Sequence, residues 1–298
     1  MEGTLDKNPD ENLKTGMKRR TLNCNGKLLS IDTPMVMGII NVTPDSFYDG
    51  GSYTTEIDLL KRCEAIIDEG GDIIDIGAAS TRPGAHVIDP IEELRRLIWA
   101  LESVRKHFPS EIISVDTHSA EVAKTAVNNF GVDIINDISS GTIDDNMFET
   151  IAMLNVPYVL THFKQHPSYM QQNPVYDNIM EEIIFNFSEN VHRLHSLGVK
   201  DIIIDPGFGF GKTIEHNYEI LRNLKKLEIF EMPLLVGFSR KSMIYRLLEI
   251  DAQNALNGTT VANTLALVAG ADILRVHDVK EAVECVRIVN FVKTGKSF

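Results

Sequence analysis

The stretch GVKDIIIDPGFGFGK at residues 198–212 contains the structural unit on which the chain is built. Gly198 follows the amphipathic stretch Asp177–Leu197, and glycine readily adopts the left-handed conformation that ends a helix. The run Asp201–Ile204 is short, β-branched and apolar, which is typical of a parallel strand buried on both faces. A polar, glycine-rich turn begins at Asp205. This stretch therefore predicts a helix, a buried strand and a polar turn in succession.

The same unit repeats along the chain. Buried strands are predicted at Met35–Ile40, Asp72–Gly77, Ile112–Val115, Asp133–Asn136, Pro157–Thr161, Asp201–Ile204, Leu234–Gly237 and Asp272–Val276. Amphipathic helices are predicted between them, among others at Glu56–Glu69, Ile91–His107, Ala120–Phe130, Asp177–Leu197 and Asn254–Ala269. Asp89 before Pro90 and Ser119 before Ala120 are favourable N-cap residues. Eight strand–helix units in about 260 residues are typical of a TIM barrel.

We therefore predict an α/β fold of the (β/α)8 TIM-barrel type. The main alternative is a doubly wound open sheet, which usually has fewer strands per domain. The sequence has no linker rich in proline, glycine and serine, so residues 17–298 are predicted to form one domain. Residues 1–16 are predicted to be a flexible leader. Residues 19–33, with the turn sequence Asn25-Gly26, are predicted to form a hairpin across one end of the barrel.

The composition of the 298 residues is that of a globular protein, with 43% hydrophobic and 24% charged residues. The formal net charge of −13 argues against an extended surface for nucleic acid or anionic membranes, because both would repel an acidic body. No segment approaches the ~20 consecutive apolar residues of a membrane span, and the polar N-terminus lacks the apolar stretch of a secretion signal. Cys24, Cys63 and Cys285 are widely spaced and fit free thiols in a reducing compartment, so a cytoplasmic location is expected.

Polar side chains follow the predicted strands. In chain order they are Asn41, Ser80-Thr81-Arg82, Asp116, Asn136, Thr161-His162, Asp205, Ser239-Arg240-Lys241, Arg275 and His277. In a TIM barrel the C-terminal ends of the strands meet at one rim, where the active site lies. The sequence thus predicts that these side chains converge, which a barrel without a site does not require.

Each of these residues also has a purely structural interpretation. Asp116 and Asp205 fit equally well as caps of the helices that follow them. Asn136 fits a turn, and Arg240 and Lys241 fit exposed charges at the start of a helix. It is their convergence on one rim that favours a functional site.

The residue types at this rim indicate a class of ligand. An acidic side chain such as Asp205 accepts two parallel N–H groups from an amidine-like edge, and an amide such as Asn136 both donates and accepts. Arg82, Arg275 and His277 can hold a leaving anion, together with a metal ion bound by oxygen ligands. The pattern therefore predicts a site for a nitrogen heterocycle that carries a phosphate-type leaving group.

Seven strings at the predicted strand ends resemble the dihydropteroate synthase family. They are Asn41-Val-Thr-Pro-Asp-Ser-Phe-Tyr-Asp-Gly-Gly51, Ser80-Thr-Arg-Pro-Gly84, Ser114-Val-Asp-Thr117, Ile135-Asn-Asp-Ile138, Asp205-Pro-Gly-Phe-Gly-Phe-Gly-Lys212, Ser239-Arg-Lys-Ser242 and Arg275-Val-His-Asp278. The resemblance extends over residues 35–292. One such string is a weak indication, whereas seven in this order are specific.

The resemblance implies an enzyme that displaces pyrophosphate from 6-hydroxymethyl-7,8-dihydropterin pyrophosphate with 4-aminobenzoate, giving 7,8-dihydropteroate for folate synthesis. The pterin site it implies consists of Asp116, Asn136, Ile138, Asp205, Lys241 and Arg275, and the 4-aminobenzoate site of Thr81, Pro83, Phe210 and Ser239. The implied pyrophosphate contacts are Asn41, Arg82, Arg275 and His277, with Asn41 also a ligand of Mg²⁺. The residues implied in catalysis are Asp116, Asp205, Lys241, Arg82, Arg275 and His277.

The resemblance also assigns parts of the pterin to particular residues. Asp205 would contact the 2-aminopyrimidine edge, and Lys241 the carbonyl and ring-nitrogen side. A homodimer is implied as well, for which the last helices are the expected interface, and so is a target of sulfonamides.

Three residues depart from the family pattern. Ala79 stands where many relatives have Glu, Thr161 occupies a position often held by Met beneath the pterin, and Gln165 replaces a common Gly. None of these changes removes a charge with an implied role. They therefore affect the expected shape of the surface beneath the pterin and of the segment Ser80–Gly84, and not the expected reaction.

Two other functions share the pterin residues. A related barrel that transfers a methyl group from methyltetrahydrofolate to a corrinoid would need neither the Thr81-Arg82 string nor the pair Arg275 and His277. A catalytically silent paralogue would have the same motifs as the enzyme and differ only in activity.

Two further interpretations rest on single motifs. A metal-dependent hydrolase is suggested by Asp116 and His118 at one strand end, with His162 nearby, but a histidine such as His162 is more often a packed core residue. The string at residues 207–213 resembles a phosphate loop, yet the required first glycine would fall on Pro206. Neither interpretation is favoured.

Overall fold

A computed structural model of the protein describes residues 20–42, 55–78, 89–164 and 174–295. The predicted leader, residues 1–16, lies outside these ranges. So do residues 43–51 and 80–84 of the two strings quoted above, which include the predicted site residues Thr81, Arg82 and Pro83, and so do Ala79 and Gln165.

Ten strands are present in the described ranges. The first two are β1 (Arg20–Cys24) and β2 (Lys27–Ile31), followed by β3 (Met35–Asn41), β4 (Ile73–Gly77), β5 (Ile112–Asp116), β6 (Ile134–Asp137), β7 (Tyr158–Thr161), β8 (Ile202–Asp205), β9 (Leu235–Val236) and β10 (Ile273–Val276). Strands β3–β10 form one parallel sheet in the order β8-β7-β6-β5-β4-β3-β10-β9. A parallel bridge between Ile204 and Leu234 joins its two edges. The sheet is therefore the closed barrel that the sequence predicts.

Helices follow the barrel strands. They are α1 (Glu56–Asp68), α2 (Pro90–His107), α3 (Ala120–Phe130), α4 (Met147–Leu154), α5 (Ile179–Ser196), α6 (Ile214–Asn223), α7 (Ser242–Tyr245), α8 (Leu256–Val268) and α9 (Val279–Thr294), with a 3-10 helix at Leu224–Phe230. The predicted N-caps are confirmed, since Asp89 accepts from Ile91 N at 2.7 Å and Ser119 Oγ from Val122 N at 3.5 Å.

The predicted boundaries need small corrections. Each strand differs from its prediction by at most one residue at either end. Several strands, such as β8, extend onto a polar residue, because the hydrogen bonds of the ladder involve only backbone atoms. The helix predicted at Asp177–Leu197 begins at Ile179, because Asn178 caps it by accepting from Met180 N at 3.1 Å. The helix predicted at Asn254–Ala269 begins at Leu256, because Asn254 belongs to a turn with Asp251.

The side chains of each barrel strand alternate between the surrounding helices and the barrel interior. The outward-facing set packs against the helices and includes Val36, Ile40, Ile74, Ile76, Val115, Ile135, Leu160, Ile204 and Val276. The inward-facing set forms a separate buried cluster, here called the interior layer: Met35, Met37, Ile73, Ile134, Val159, Ile203, Leu235 and Ile273. Two residues further along five of these strands, the inward positions are polar: Asp75, Asn136, Thr161, Asp205 and Arg275.

The predicted hairpin is present and covers the N-terminal end of the barrel. Three of its side chains belong to the same buried cluster as the interior layer: Leu22, Cys24 and Ile31. Arg20 forms an ion pair with Asp272, and Lys27 Nζ lies 3.5 Å from Asp133. The two aspartates immediately precede β10 and β6. The opposite, C-terminal end of the barrel is therefore the one where a site can open.

The turn of the hairpin explains its sequence. Asn25 and Gly26 connect β1 to β2 and have φ angles of 50° and 87°. Two consecutive positive φ angles suit the tight turn that matches the twist of a hairpin, and asparagine and glycine tolerate them best.

Two sequence-based expectations concern the environment of the protein. Cys24, Cys63 and Cys285 are buried and form no disulfide, as the spacing predicted. Within the four described ranges, every helix is too short or too polar to cross a membrane.

The hairpin predicts that two leucine substitutions change the free energy of unfolding by different amounts. Leu22 is 2% exposed and Leu28 is 75% exposed. We expect Leu22→Ala to lower the free energy of unfolding by about 2–5 kcal/mol, because it opens a cavity beneath the interior layer. The control Leu28→Ala should change it by less than about 0.5 kcal/mol. Urea unfolding followed by circular dichroism measures both values, and equal values would mean that the hairpin does not close the barrel.

Candidate active site

A buried arginine connects three strands at the C-terminal end of the barrel. Arg275 of β10 donates from Nε to Asp75 Oδ2 at 2.7 Å and from Nη2 to Asp116 Oδ2 at 2.6 Å. Asn136 of β6 donates from Nδ2 to the same Asp75 oxygen at 3.3 Å. We call these four residues the arginine network. The structure thus brings together Asp116, Asn136 and Arg275, which the sequence predicted to share a rim.

Asp75 is a site residue that the sequence prediction missed. It is fully buried in the middle of β4, whereas the prediction considered only residues near the strand ends. The signal was present in the run Ile73–Gly77, because an aspartate inside an apolar strand must have a buried partner. That partner, Arg275, is 200 residues away in the sequence.

The charges of the arginine network are unequal, since two carboxylates face one guanidinium. Burial raises the pKa of Asp116 to about 7; Arg275 opposes this shift and Asp75 adds to it. Burial disfavours the charged form of Arg275, but Asp75 and Asp116 raise its pKa above the ordinary value. Arg275 is therefore always cationic. A ligand that develops positive charge here would favour the ionised form of Asp116.

Asp205 and Lys241 form a second charged group at the rim. Asp205 Oδ1 accepts from Gly207 N at 2.8 Å. Lys241 Nζ donates to Phe208 O at 2.6 Å and lies 4.6 Å from the centre of the Phe210 ring. Burial raises the pKa of Asp205 and lowers that of Lys241 to about 8, and each charge opposes the shift of the other. The two side chains therefore stabilise each other in their charged forms.

Asn41 lies at the rim beside Asp116. Gly77 of β4 pairs in register with both of these residues. A Cβ atom at Gly77 would lie 3.3 Å from Asp116 Cβ and 3.7 Å from Asn41 Oδ1. The glycine therefore leaves these two side chains facing the same space.

Ser239 and His277 lie next to each other after β9 and β10. Ser239 Oγ accepts from His277 N at 3.2 Å and lies 3.1 Å from His277 Nδ1. Arg62 of α1 donates to His277 O. Arg240 is not an exposed charge, because it forms an ion pair with Asp278 at 2.8 Å. Ser239 and His277, which the resemblance assigned to the 4-aminobenzoate and pyrophosphate sites, are thus in direct contact, and Arg62 holds the backbone of His277.

A small apolar cluster borders the charged groups. It consists of Ile138, Phe163 and Phe210, and it is separate from the main core. Ile138 and Phe210 were expected in the pterin and 4-aminobenzoate sites, respectively. Phe163 was not predicted, because the prediction considered only the polar residues Thr161 and His162 at the end of β7.

Lys212 is a buried lysine that serves the structure of the rim. Its side chain donates to three backbone oxygens, Gly207 O and Phe210 O at 2.9 Å and His162 O at 3.3 Å. Burial lowers its pKa to about 7, and the charge of Asp205 opposes that shift. Lys212 therefore fixes the loop after β8. Because its ammonium group already donates to these backbone oxygens, it is not placed to bind a phosphate, which argues against a phosphate loop at residues 207–213.

Asp116 and Asp205 are not helix caps, which was their alternative interpretation. The helices that follow them, α3 and α6, are capped by the side chains of Ser119 and Thr213. Both aspartates instead face the barrel mouth.

His162 is a packed core residue. It is 2% exposed and lies between the rings of Tyr176 and Phe187, with centroid distances of 6.3 and 6.4 Å. Burial lowers its pKa well below the ordinary value, so the ring is neutral. Across the described ranges, no three His, Cys, Asp or Glu side chains are grouped to hold a metal ion. The hydrolase interpretation therefore has no support in this part of the chain.

The chain is similar in sequence and fold to known proteins. A model of the family described as pterin binding enzyme matches residues 37–277. The chain belongs to the pterin binding enzyme family. Its sequence is 42% identical to the dihydropteroate synthase of Escherichia coli (strain K12) over 274 residues, which are 91% of this chain and 96% of that protein.

Solved structures of pterin binding enzymes have the same fold. The dihydropteroate synthase of Yersinia pestis, solved with a sulfonamide drug, is 40% identical and has a TM-score of 0.87, with 92% of this chain and 100% of that chain covered. The Xanthomonas albilineans enzyme, solved with 4-aminobenzoic acid, is 37% identical and has a TM-score of 0.84, with 92% and 98% covered.

The arginine network predicts a pH-dependent loss of stability. In Arg275→Met, removal of the cation raises the pKa of Asp116 still further. A carboxyl with a raised folded-state pKa costs stability at pH values above its unfolded-state pKa, and this cost stops growing only above the folded-state pKa. Wild type and variant share the cost up to about pH 7, where Asp116 of the wild type ionises, so the further rise in the variant costs extra stability only above that pH. We therefore expect a loss of about 3–5 kcal/mol at pH 8 and a clearly smaller loss at pH 5.5, measured by urea unfolding.

A surface ion pair provides the control for this variant. Arg193 pairs with Glu149 at 3.2 Å, and both side chains are about half exposed, at 52% and 49%. Arg193→Met should cost less than about 1 kcal/mol at both pH values. A loss in Arg275→Met that does not change with pH would mean that Asp116 is not held by Arg275.

Proposed function

We propose that the protein catalyses the dihydropteroate synthase reaction, in which 6-hydroxymethyl-7,8-dihydropterin pyrophosphate and 4-aminobenzoate give 7,8-dihydropteroate and pyrophosphate. The observation that carries the proposal is the arrangement of the arginine network beside Asp205 and Lys241 on the inward face of the barrel. The relatives that bear the name dihydropteroate synthase support it at nearly full length.

The pterin would bind between the two charged groups. Asp205 is placed to accept from the 2-aminopyrimidine edge, and Lys241 to donate to the carbonyl side, exchanging Phe208 O for the ligand. Asp116 and Asn136 would contact the other ring, where an acid and an amide match N–H and ring-nitrogen groups. Ile138 would border this site.

The pyrophosphate would lie towards Arg275 and His277, with Arg82 completing the contacts. Asn41 fits Mg²⁺ through its amide oxygen, and one protein oxygen is enough when phosphate oxygens and water supply the other ligands. Such an ion, when bound, would neutralise charge on the departing pyrophosphate. For 4-aminobenzoate, Phe210 and Ser239 offer an apolar face and a hydroxyl, and Thr81 and Pro83 would complete the site.

The reaction needs no strong base. The bond between the pterin methylene carbon and the pyrophosphate oxygen breaks, and the oxygen keeps the electron pair. The positive charge left on the dihydropterin is stabilised by the carboxylates of Asp116 and Asp205, which are already in place. The aniline nitrogen then forms the C–N bond and loses its proton to the departed pyrophosphate or to water. Arg275 assists by holding Asp116 in position and by attracting the leaving anion.

The proposal also includes a location and an oligomeric state. The buried free thiols are compatible with the reducing cytoplasm. A homodimer is supported by an apolar surface on the last two helices, which we call the α8/α9 face. Its members are Val261, Leu265 and Val268 on α8 and Ile288, Phe291 and Val292 on α9, each more than half exposed. A continuous exposed apolar patch is typical of an interface between subunits.

The decisive test is product formation by the purified protein with Mg²⁺ and both substrates. We expect dihydropteroate, and release of pyrophosphate that depends on 4-aminobenzoate. Asp205→Asn should lower kcat/KM roughly 10- to 100-fold through the loss of a charged hydrogen bond. Its melting temperature should stay near the wild-type value, because the asparagine oxygen can still accept from Gly207 N.

Asp201→Asn is the matched control, since Asp201 precedes the N-terminal end of β8, away from the rim. It should leave kcat/KM unchanged. A wild-type protein that binds the pterin but forms no dihydropteroate would be a silent paralogue. Methyl transfer from methyltetrahydrofolate to a corrinoid, without dihydropteroate, would assign the chain to that other class.

The α8/α9 face predicts the effect of a charge on assembly. Phe291→Asp should shift the protein from dimer to monomer in sedimentation velocity, because a buried carboxylate opposes apolar contact. Met153 on α4 is 75% exposed and outside the face, so Met153→Asp should leave the dimer intact. A wild-type monomer, or a dimer in Phe291→Asp, would contradict the proposed interface.

A further inference from the structure

The loop that carries Phe210 contains three backbone turns that glycine adopts most easily. Gly207, Gly209 and Gly211 have φ angles of 70°, 82° and 59°. A segment of this kind has many accessible conformations unless other groups hold it. Phe210 is nevertheless only 7% exposed and belongs to a packed apolar cluster. The position of its ring therefore depends on the contacts that fix the loop backbone.

Besides Lys212, which belongs to the loop itself, side chains from other elements hold this backbone. They are Lys241 on Phe208 O at 2.6 Å, Asn217 on Gly209 N at 2.7 Å and Tyr176 on Gly211 O at 2.8 Å. Lys241 is proposed above to exchange Phe208 O for the pterin. The hydrogen bonds from Asn217 and Tyr176 remain after that exchange. These two side chains would therefore hold the loop while 4-aminobenzoate binds.

Tyr176 reaches the loop from the connection between β7 and α5. Its ring packs edge-on against His216, with the two ring centroids 4.9 Å apart, and Lys164 Nζ lies 4.2 Å from the centre of the Tyr176 ring. Lys164 also donates to Val175 O at 2.8 Å, which fixes the backbone next to Tyr176. Burial raises the pKa of Tyr176 above its ordinary value, so the hydroxyl keeps its proton and can donate. The tyrosine is thus held with its hydroxyl directed at Gly211 O.

We propose that Tyr176 is a positioning residue for 4-aminobenzoate, which fixes Gly211 O and thereby holds the ring of Phe210 in place. This inference rests on the proposed function. Gly211 directly follows Phe210, so a movement of its peptide group also moves the Phe210 ring. Contacts between aromatic rings depend on their relative orientation. A ring that is already held in one position binds a second ring with a smaller loss of conformational entropy.

The test is Tyr176→Phe, which keeps the ring and removes only the hydroxyl. We expect the KM for 4-aminobenzoate to rise about 3- to 10-fold. The value of kcat should change less than about 2-fold, because the hydrogen bond favours binding in the ground state and the transition state alike. The dissociation constant of 6-hydroxymethylpterin, measured by calorimetry, should also change less than about 2-fold, because the arginine network does not depend on Tyr176.

Tyr218→Phe is the matched control. Tyr218 of α6 also donates its hydroxyl to a backbone oxygen, Met243 O at 3.2 Å, but this acceptor belongs to α7 and not to the loop of Phe210. Each variant loses one such hydrogen bond, so both melting temperatures should fall by a similar amount, roughly 1–4 °C. Only Tyr176→Phe should change the KM for 4-aminobenzoate.

A spectroscopic measurement reports the position of the ring directly. With 4-fluorophenylalanine incorporated in place of Phe210, the fluorine NMR signal of the ligand-free protein depends on the surroundings of that ring. We expect this signal to shift or broaden in Tyr176→Phe and to stay as in the wild type in Tyr218→Phe. A purely structural role of Tyr176 would leave the signal and the KM unchanged.

Three outcomes would overturn the inference. They are an unchanged KM for 4-aminobenzoate in Tyr176→Phe, an equal rise of that KM in both variants, or loss of the fold in Tyr176→Phe alone, which would assign Tyr176 to stability. A wild type that forms no dihydropteroate would instead contradict the proposed function. The fluorine signal needs no turnover, so the two failures are distinguishable.

Discussion

The guanidinium of Arg275, held between the carboxylates of Asp75 and Asp116, is the interaction on which the site depends. Two buried carboxylates on neighbouring strands would repel each other without a cation between them. The single guanidinium orients both acids, and Asp75 in turn orients Asn136 through a shared oxygen. The acid and the amide that the pterin is proposed to meet are therefore set in place before a ligand arrives, as electrostatic catalysis requires.

Along the barrel strands, the residues that stabilise the fold and the residues proposed for the reaction occupy different positions. Near the N-terminal end, the inward positions are apolar, and the hairpin of β1 and β2 completes their burial. Two residues later the same face carries the charged and polar groups. Since side chains alternate with a period of two, one register of the ladder fixes both layers at once. A slip of one residue would place Asp75, Asp205 and Arg275 against the helices, so the packing of the lower layer also enforces the geometry of the upper one.

Two lysines near the end of β8 have different roles because their hydrogen-bond partners differ. Lys212 donates to three backbone oxygens and holds the loop that carries Phe210. Lys241 donates to one backbone oxygen and lies over an aromatic ring, so its remaining hydrogens are available to a ligand. In a chain with a formal charge of −13, these lysines and Arg275 offset the buried carboxylates of Asp75, Asp116 and Asp205 at the barrel mouth.

The sequence by itself determined the elements of the fold. Strand runs, glycine-terminated helices, the caps Asp89 and Ser119 and the turn at Asn25-Gly26 are local patterns, because backbone conformation depends on nearby residues. The order of these elements was enough to predict the barrel, and the position of polar residues after the strands was enough to predict one rim.

Only the tertiary structure decided which side chains meet. Asp75 lies inside a strand rather than after it, and its partner is 200 residues away. The sequence patterns also did not predict Phe163, the three carbonyls around Lys212 or the hydroxyl of Thr161, which is unpaired among the described residues. The physical reason is that hydrogen bonds and ion pairs of a barrel interior form across strands. They depend on closure and register, which bring distant parts of the chain together, and not on the local preferences of the residues involved.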